Sequence, residues 1–304
     1  MKKLFTRFAP LLLALSLSAC QLPFFNQKTP AGYVRHCVFL LHAQGLYADS
    51  PEWKAKMKEV LADAPKLSSM DDAHAAVMEA AKVAGGKHSF IMAPVTDTSS
   101  YQEFAPQARM LEGNIAHVIL PAHTGDRISD SLYIHTVSDF LGQHLDAKGV
   151  IVDLRGNTGG NMYPMIASVG ALLPEGVVIS FKSRKRTTPI SLKYILSSYG
   201  ISLDKGEKFP SSVPIAVLTD GDTASSGEAT LISFLGLDNV RTFGAPTAGY
   251  ASGNVTHRLS DGYFLAITHS RDKARTGEVY CDDPIEPDVP TDTPMEDALS
   301  WIQQ

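Results

Sequence analysis

Three short segments hold the residues whose types and spacing could do chemistry. Thr223-Ala-Ser225-Ser226-Gly-Glu228 lies between an apolar run and a helix start. A serine held on a sharp turn there would have backbone N–H groups and the helix dipole beside it to stabilise negative charge. Serine is a weak nucleophile at neutral pH and needs a base. His88, in Gly85-Gly-Lys-His-Ser-Phe90, follows a helix-stopping glycine pair, a setting that the other nine histidines lack. It is the candidate general base. The third segment, Asp153-Leu-Arg-Gly-Asn-Thr-Gly-Gly160, is a loop whose glycines let backbone N–H groups approach a substrate carbonyl closely. Gly159 or Gly160 would supply one oxyanion N–H and Ser226 the other. The plainer counterparts are a serine N-cap and a tight turn. The group that orients His88 is open among Glu228, Ser89 and the acidic stretch Asp282, Asp283 and Glu286, and a dyad with no third carboxylate is the alternative.

Other chemistries fail on their motifs. Gly85-Gly86-Lys87 has the ending of a phosphate-binding loop, but Ala81 stands at the first glycine and His88 at the magnesium-binding hydroxyl. Thr223 breaks the GxSxG elbow around Ser225. HExxH, CxxC and GxGxxG do not occur, so neither a metal nor an organic cofactor is expected.

The elements that must position these residues read in two parts. Over 31–86, Val34, Cys37, Val38 and Leu41 share one helix face, and Ser50-Pro51 opens a second helix bearing Trp53, Met57, Val60 and Leu61. A third helix starts near Asp71, carries Val77, Ala80, Ala81 and Ala84, and stops at Gly85-Gly86. These predict a small N-terminal helical bundle. From 87 onward, Ala116–Leu120, Val150–Leu154 and Val213–Leu218 read as strands, the second and third each leading through a turn into a helix. Two strand–turn–helix units predict an α/β layer with its site at the strand C-termini.

Apolar residues make up 44% and charged residues 19%, a globular composition, and the net charge of −5 argues against nucleic-acid binding. Lys2, Lys3 and Arg7 followed by Leu11–Leu17 form a secretory signal, and Leu17-Ser-Ala-Cys20 looks like a bacterial lipobox. Cleavage after residue 19 and acylation of Cys20 would leave 24 positive against 32 negative charges on a lipid-tethered body, with 20–30 as tether. Gln21 in place of Asp suggests, by likeness to Gram-negative lipoproteins, an outer-membrane address facing the periplasm. Lys182, Arg184, Lys185 and Arg186 read as a solvated strand end. A Cys37–Cys281 disulfide would suit an oxidising compartment.

Taken together, the segments resemble the S41 family of serine peptidases, the C-terminal-processing and tricorn-core group. The carrying stretches are Val152–Gly160, Thr223–Glu228, Gly244-Ala-Pro-Thr-Ala-Gly249, Asp261-Gly262 and Pro284-Ile-Glu-Pro-Asp288, in family order across 87–292. The resemblance implies a mixed α+β, ClpP/crotonase-like core over 87–304 behind the helical segment. Two departures refine it. The catalytic Lys that C-terminal-processing members place twenty-five residues after the nucleophile falls on Tyr250, which would line the cleft or merely pack. The 64 residues between His88 and Asp153 leave no room for a PDZ module. The pattern is closer to PDZ-less members with a histidine base, such as tricorn-type and nisin-resistance peptidases, the latter sharing the Thr-Ala-Ser-Ser and Lys-His-Ser runs. The expected function is a lipid-anchored serine peptidase acting on small or antimicrobial peptides or protein C-termini. The alternative is a non-catalytic envelope-anchored peptide- or ligand-binding protein on the same fold.

Overall fold

Three side-chain caps open the N-terminal helices. Thr29 accepts the Gly32 N–H at α1 (Pro30–Gln44), Ser50 accepts Trp53 N–H at α2 (Pro51–Asp63), and Ser69 forms a capping box with Asp72 at α3 (Met70–Gly85). The sequence placed the third start one residue late because Ser69, not an apolar residue, marks it. The computed structural model describes residues 25–94, 105–203 and 207–304. The signal segment 1–19, Cys20 and tether residues 21–24 lie outside these residues.

Among the described residues there are eight helices and two six-stranded sheets, with elements numbered in chain order. The first sheet is antiparallel: β1 (Phe90–Met92), β10 (Phe264–Lys273), β5 (Val177–Ser183) and β6 (Thr187–Ser191) lie in that order, and β9 (Ser252–Arg258) and β11 (Val279–Tyr280) also pair with β10. The second runs β12 (Val289–Pro290), β8 (Val240–Gly244), β7 (Ile215–Thr219), β4 (Gly149–Asp153), β3 (Ile115–Ile119) and β2 (Gln107–Leu111), parallel except for the β2–β3 hairpin. Its central strands are buried on both faces, which is why they read as unbroken apolar runs. Val150, Val152, Ile215 and Val217 join the core that includes residues of α4 (Arg127–Gln143), α5 (Met162–Ser168), α6 (Leu192–Ser198) and α7 (Ser226–Ile232). Ile151, Ala216 and Leu218 face Ala298 of α8 (Pro294–Ile302).

The first three helices do not form a separate core. Tyr33, Leu41, Trp53 and Val77 pack with Ile91, Leu265 and Ile267 of β1 and β10, so the bundle is the covering layer of the first sheet. Arg184 reinforces that contact: it pairs with Asp49 (2.7 Å) and donates to the Ala43 carbonyl (2.9 Å) at the end of α1, rather than standing free in solvent. Cys37 and Cys281 are free thiols, Cys37 wholly buried on α1 and Cys281 beside the Tyr47 hydroxyl (3.7 Å). No helix among the described residues is long and apolar enough to cross a membrane.

Candidate active site

Because β4 and β7 are parallel neighbours, the loops leaving their C-terminal ends meet. Asp220, just past β7, accepts N–H groups from Gly156 and Thr223, both at 3.0 Å. The Thr223 hydroxyl donates to the Leu154 carbonyl (2.9 Å). Asn157 is fully buried, and its carbonyl takes the Ala224 N–H (2.8 Å) while its Nδ2 donates to the Leu120 carbonyl (2.8 Å). The serine turn is thus clamped onto the glycine loop.

Ser225 sits at φ 52°, ψ −114°, the first corner of a type II′ turn, which glycine normally occupies. Holding a serine there stores strain that the clamps must offset. Gly159 lies against it, where an added Cβ would come 2.7 Å from Ser225 Cβ. The Gly159 N–H is committed to Asn157 Oδ1 (2.9 Å), whereas Gly160 lines the cleft and its carbonyl accepts the Ser226 hydroxyl (2.7 Å).

His88 enters from the other sheet, between α3 and β1. Gly86, at φ 90°, ends α3 and turns the chain toward the cleft. His88 Nδ1 lies 2.8 Å from Ser252 Oγ at the start of β9, and Asn254 Nδ2 donates to the His88 carbonyl (2.9 Å). The Tyr250 ring meets the imidazole edge-on at 5.3 Å, with Lys87 Nζ 4.4 Å from the Tyr250 ring centre. Burial pushes the imidazole down to about 4, against the pull of the Asp282 carboxylate and with the help of Lys87. His88 is therefore neutral at neutral pH and can accept a proton. His88 and Ser225 line one cleft of 580 Å³ with Gly160, Ser226, Ser252 and Asp272. No hydrogen bond joins the two side chains; such contacts commonly tighten only around substrate.

Of the five residues considered for orienting His88, none is hydrogen-bonded to its ring, whose partner is Ser252. Ser89 is buried and exchanges hydrogen bonds with Thr268, accepting its N–H (2.9 Å) and donating to its hydroxyl (3.1 Å). Glu228 is wholly buried and collects four donors: the N–H groups of Ser225 (2.9 Å), Gly249 (2.9 Å) and Tyr250 (2.7 Å), and the Thr247 hydroxyl. Burial raises its carboxyl above the ordinary range, with those hydrogen bonds opposing. It ties the serine turn to the 247–250 loop, whose next residues lead to Ser252. Asp282 accepts the Tyr47 hydroxyl (3.0 Å), while Asp283 and Glu286 are exposed. Ser252 carried no usable sequence signal: it is 164 positions from its partner, and it precedes a glycine in a polar stretch. Among the described residues, no group of three or more His, Cys, Asp or Glu side chains converges as a metal site.

The model of Peptidase family S41 matches residues 128–291. The nisin-resistance protein of Lactococcus lactis subsp. lactis is 35% identical over 280 residues, 90% of this chain and 87% of that protein. The chain belongs to peptidase family S41. Its mixed α/β architecture is the S41 fold. A lipoprotein from Streptococcus agalactiae of solved structure is 33% identical, with a TM-score of 0.80 over 90% of this chain and 96% of that one. The photosystem II D1 C-terminal processing protease, 12% identical, aligns at a TM-score of 0.63 over 90% of this chain and 97% of its own, a likeness of fold alone. Membership of S41 gives a peptidase-type function with peptide or protein as the substrate class.

Proposed function

We propose that this S41 chain is a lipid-anchored serine peptidase in which Ser225 is the nucleophile and His88 the general base. The observation that carries the reading is the shared cleft: a strained serine from one sheet's loops and a neutral, Nδ1-anchored imidazole from the other sheet line the same walls. Ser225 Oγ attacks the peptide carbonyl carbon as its proton passes to His88 Nε2. The resulting oxyanion takes the N–H groups of Ser226 and Gly160, since that of Gly159 is spent on Asn157. His88 then gives the proton to the leaving amine, the C–N bond breaks, and water deprotonated by His88 hydrolyses the acyl-enzyme. Ser252 holds Nδ1 through both steps, so a serine stands where many such sites use a carboxylate.

The substrate class we favour is a small antimicrobial peptide or an extended protein C-terminus, supported by the likeness to a nisin-resistance protein. Lipid attachment at Cys20 in the bacterial envelope, on the outer membrane facing the periplasm in a Gram-negative host, rests on the Leu17–Cys20 run and Gln21. A 33% identical lipoprotein supports it. The competing reading, a non-catalytic binding protein, draws on Tyr250 at the family's lysine position and on the unjoined Ser225–His88 pair. Fluorophosphonate labelling of wild type, Ser225→Ala and His88→Ala separates them. Labelling lost in the first variant and weakened in the second supports the peptidase; no labelling and no turnover of any peptide pool supports the binder.

A further inference from the structure

Asp272 is 1% exposed on β10, yet it lines the catalytic cleft, and its Oδ1 has no hydrogen-bond partner. Two more buried polar atoms on the same pair of strands are also without partners: Asn254 Oδ1 and Ser270 Oγ. The Asn254 amide is oriented by its donation to the His88 carbonyl, so the atom left over is an acceptor. Asn254 lines the cleft, and Gly253, also in its wall, lies so close to Ser270 that a Cβ would come 2.5 Å from Ser270 Oγ. An unpaired buried polar atom is costly, and three near one cavity, the Asn254 Oδ1 an acceptor only, the Ser270 hydroxyl able to accept and Asp272 an acceptor once ionised, leave hydrogen-bonding capacity that the protein does not fill.

The cleft offers little to answer that demand. Among its lining residues there is no lysine or arginine, and the titratable groups besides Asp272 are His88 and Tyr163, neither of which carries a charge at neutral pH. Phe181, whose register partner on β10 is Asp272, adds an aromatic face beside the carboxyl, suited to the apolar stem of a long cationic side chain. A ligand with several N–H donors and a positive charge completes this wall; an anionic or apolar one leaves it unsatisfied.

We infer that Asp272, with Asn254 and Ser270, forms a specificity pocket for a lysine or arginine side chain of the peptide near the scissile bond. The inference deepens the peptidase reading and rests on it for the scissile bond, but not for recognition of the cation. Full burial and the nearby Glu228 carboxyl hold empty Asp272 protonated, far above the ordinary carboxyl range. Entry of a cation then releases that proton to solvent and leaves an ion pair.

The test compares peptides that differ only as arginine or the uncharged isostere citrulline. Wild type is expected to favour arginine at least about tenfold in kcat/KM, and Asp272→Asn to bring the ratio close to one. Independently of turnover, butylguanidinium should raise the unfolding midpoint of Ser225→Ala but not that of Ser225→Ala carrying Asp272→Asn. Equal cleavage of arginine and citrulline peptides by wild type overturns the inference whatever the variant does. If no peptide is cut, a midpoint shift that depends on Asp272 keeps the cation pocket while the peptidase reading falls, and the absence of such a shift removes the pocket.

Discussion

At the scale of single residues, the proposed catalytic pair is set by what each group is denied. Ser225 is denied a relaxed backbone, and His88 is denied full solvation. The second has a measurable consequence. The base must be neutral to act, so kcat/KM should fall as pH is lowered through about 4 and not through the usual imidazole range, read from peptide turnover across an acid-to-neutral series. The same depression has a stability sign. Below the ordinary imidazole pKa the unfolded chain binds a proton that folded His88 does not, so this site loses stability as pH drops toward about 4. In the proposed mechanism Ser252 acts through His88 as a positioning residue. Ser252→Ala removes one neutral hydrogen bond of roughly 1 kcal/mol, so kcat should drop about fivefold with KM unchanged, and Ser252→Thr should restore it. A fall in KM and kcat alike would contradict that role.

At the scale of elements, the site depends on two loops being fastened to one another. Glu228 projects from the first turn of α7 and binds donors from its own turn and from the 247–250 loop. In Glu228→Ala, three buried N–H groups and a hydroxyl lose their acceptor. The expected outcome is a loss of more than about 3 kcal/mol in urea unfolding together with loss of fluorophosphonate labelling. Asp153 does the parallel service at the end of β4. Burial would raise it, but hydrogen bonds from Arg155 (2.6 Å) and His117 (3.4 Å) hold it down to about 2. Its contribution to stability is complete above the ordinary carboxyl range and is lost as pH falls through about 2. The β4 and β7 turns were legible because their punctuation is local: Gly156, Gly159 and Asp220 announce a loop whatever the rest of the chain does. The long strand β10 was not legible. A register shift between Thr268 and Ser270 interrupts its alternation, and its inward face carries Thr268, Ser270 and Asp272, which read as surface.

At the scale of the whole molecule, the helical segment and the peptidase core are coupled through one apolar layer. Ile267 and Leu265 are fully buried against α1 and α3, and His88 stands at the exit of α3. Ile267→Ala should cost about 2–5 kcal/mol, and urea unfolding should remain a single transition reported equally by helix and tertiary signals. A separate early transition for residues 31–86 would show the bundle to be an independent unit. The proposed anchor is tested at the same scale. Cys20→Ser should move the protein from the membrane to the soluble fraction without altering turnover in detergent-free assays.

What the sequence determined by itself was local or recurrent: the helix starts at Ser50 and, one residue late, near Asp71, three strands of the second sheet, the glycine loop, and the family-like runs in which Ser225 and His88 lie. Those features need only neighbours a few positions away, where propensity, capping and turn chemistry act. The tertiary structure alone decided which groups face each other. It gave His88 a partner in Ser252, assigned Glu228 to the backbone of the serine turn, tied the Gly159 N–H to Asn157, and left Asp272 Oδ1 without a donor on the cleft wall. Each of these joins segments from distant parts of the chain. Hydrogen bonding and desolvation have no reach along the sequence; they act only once packing has brought the atoms together.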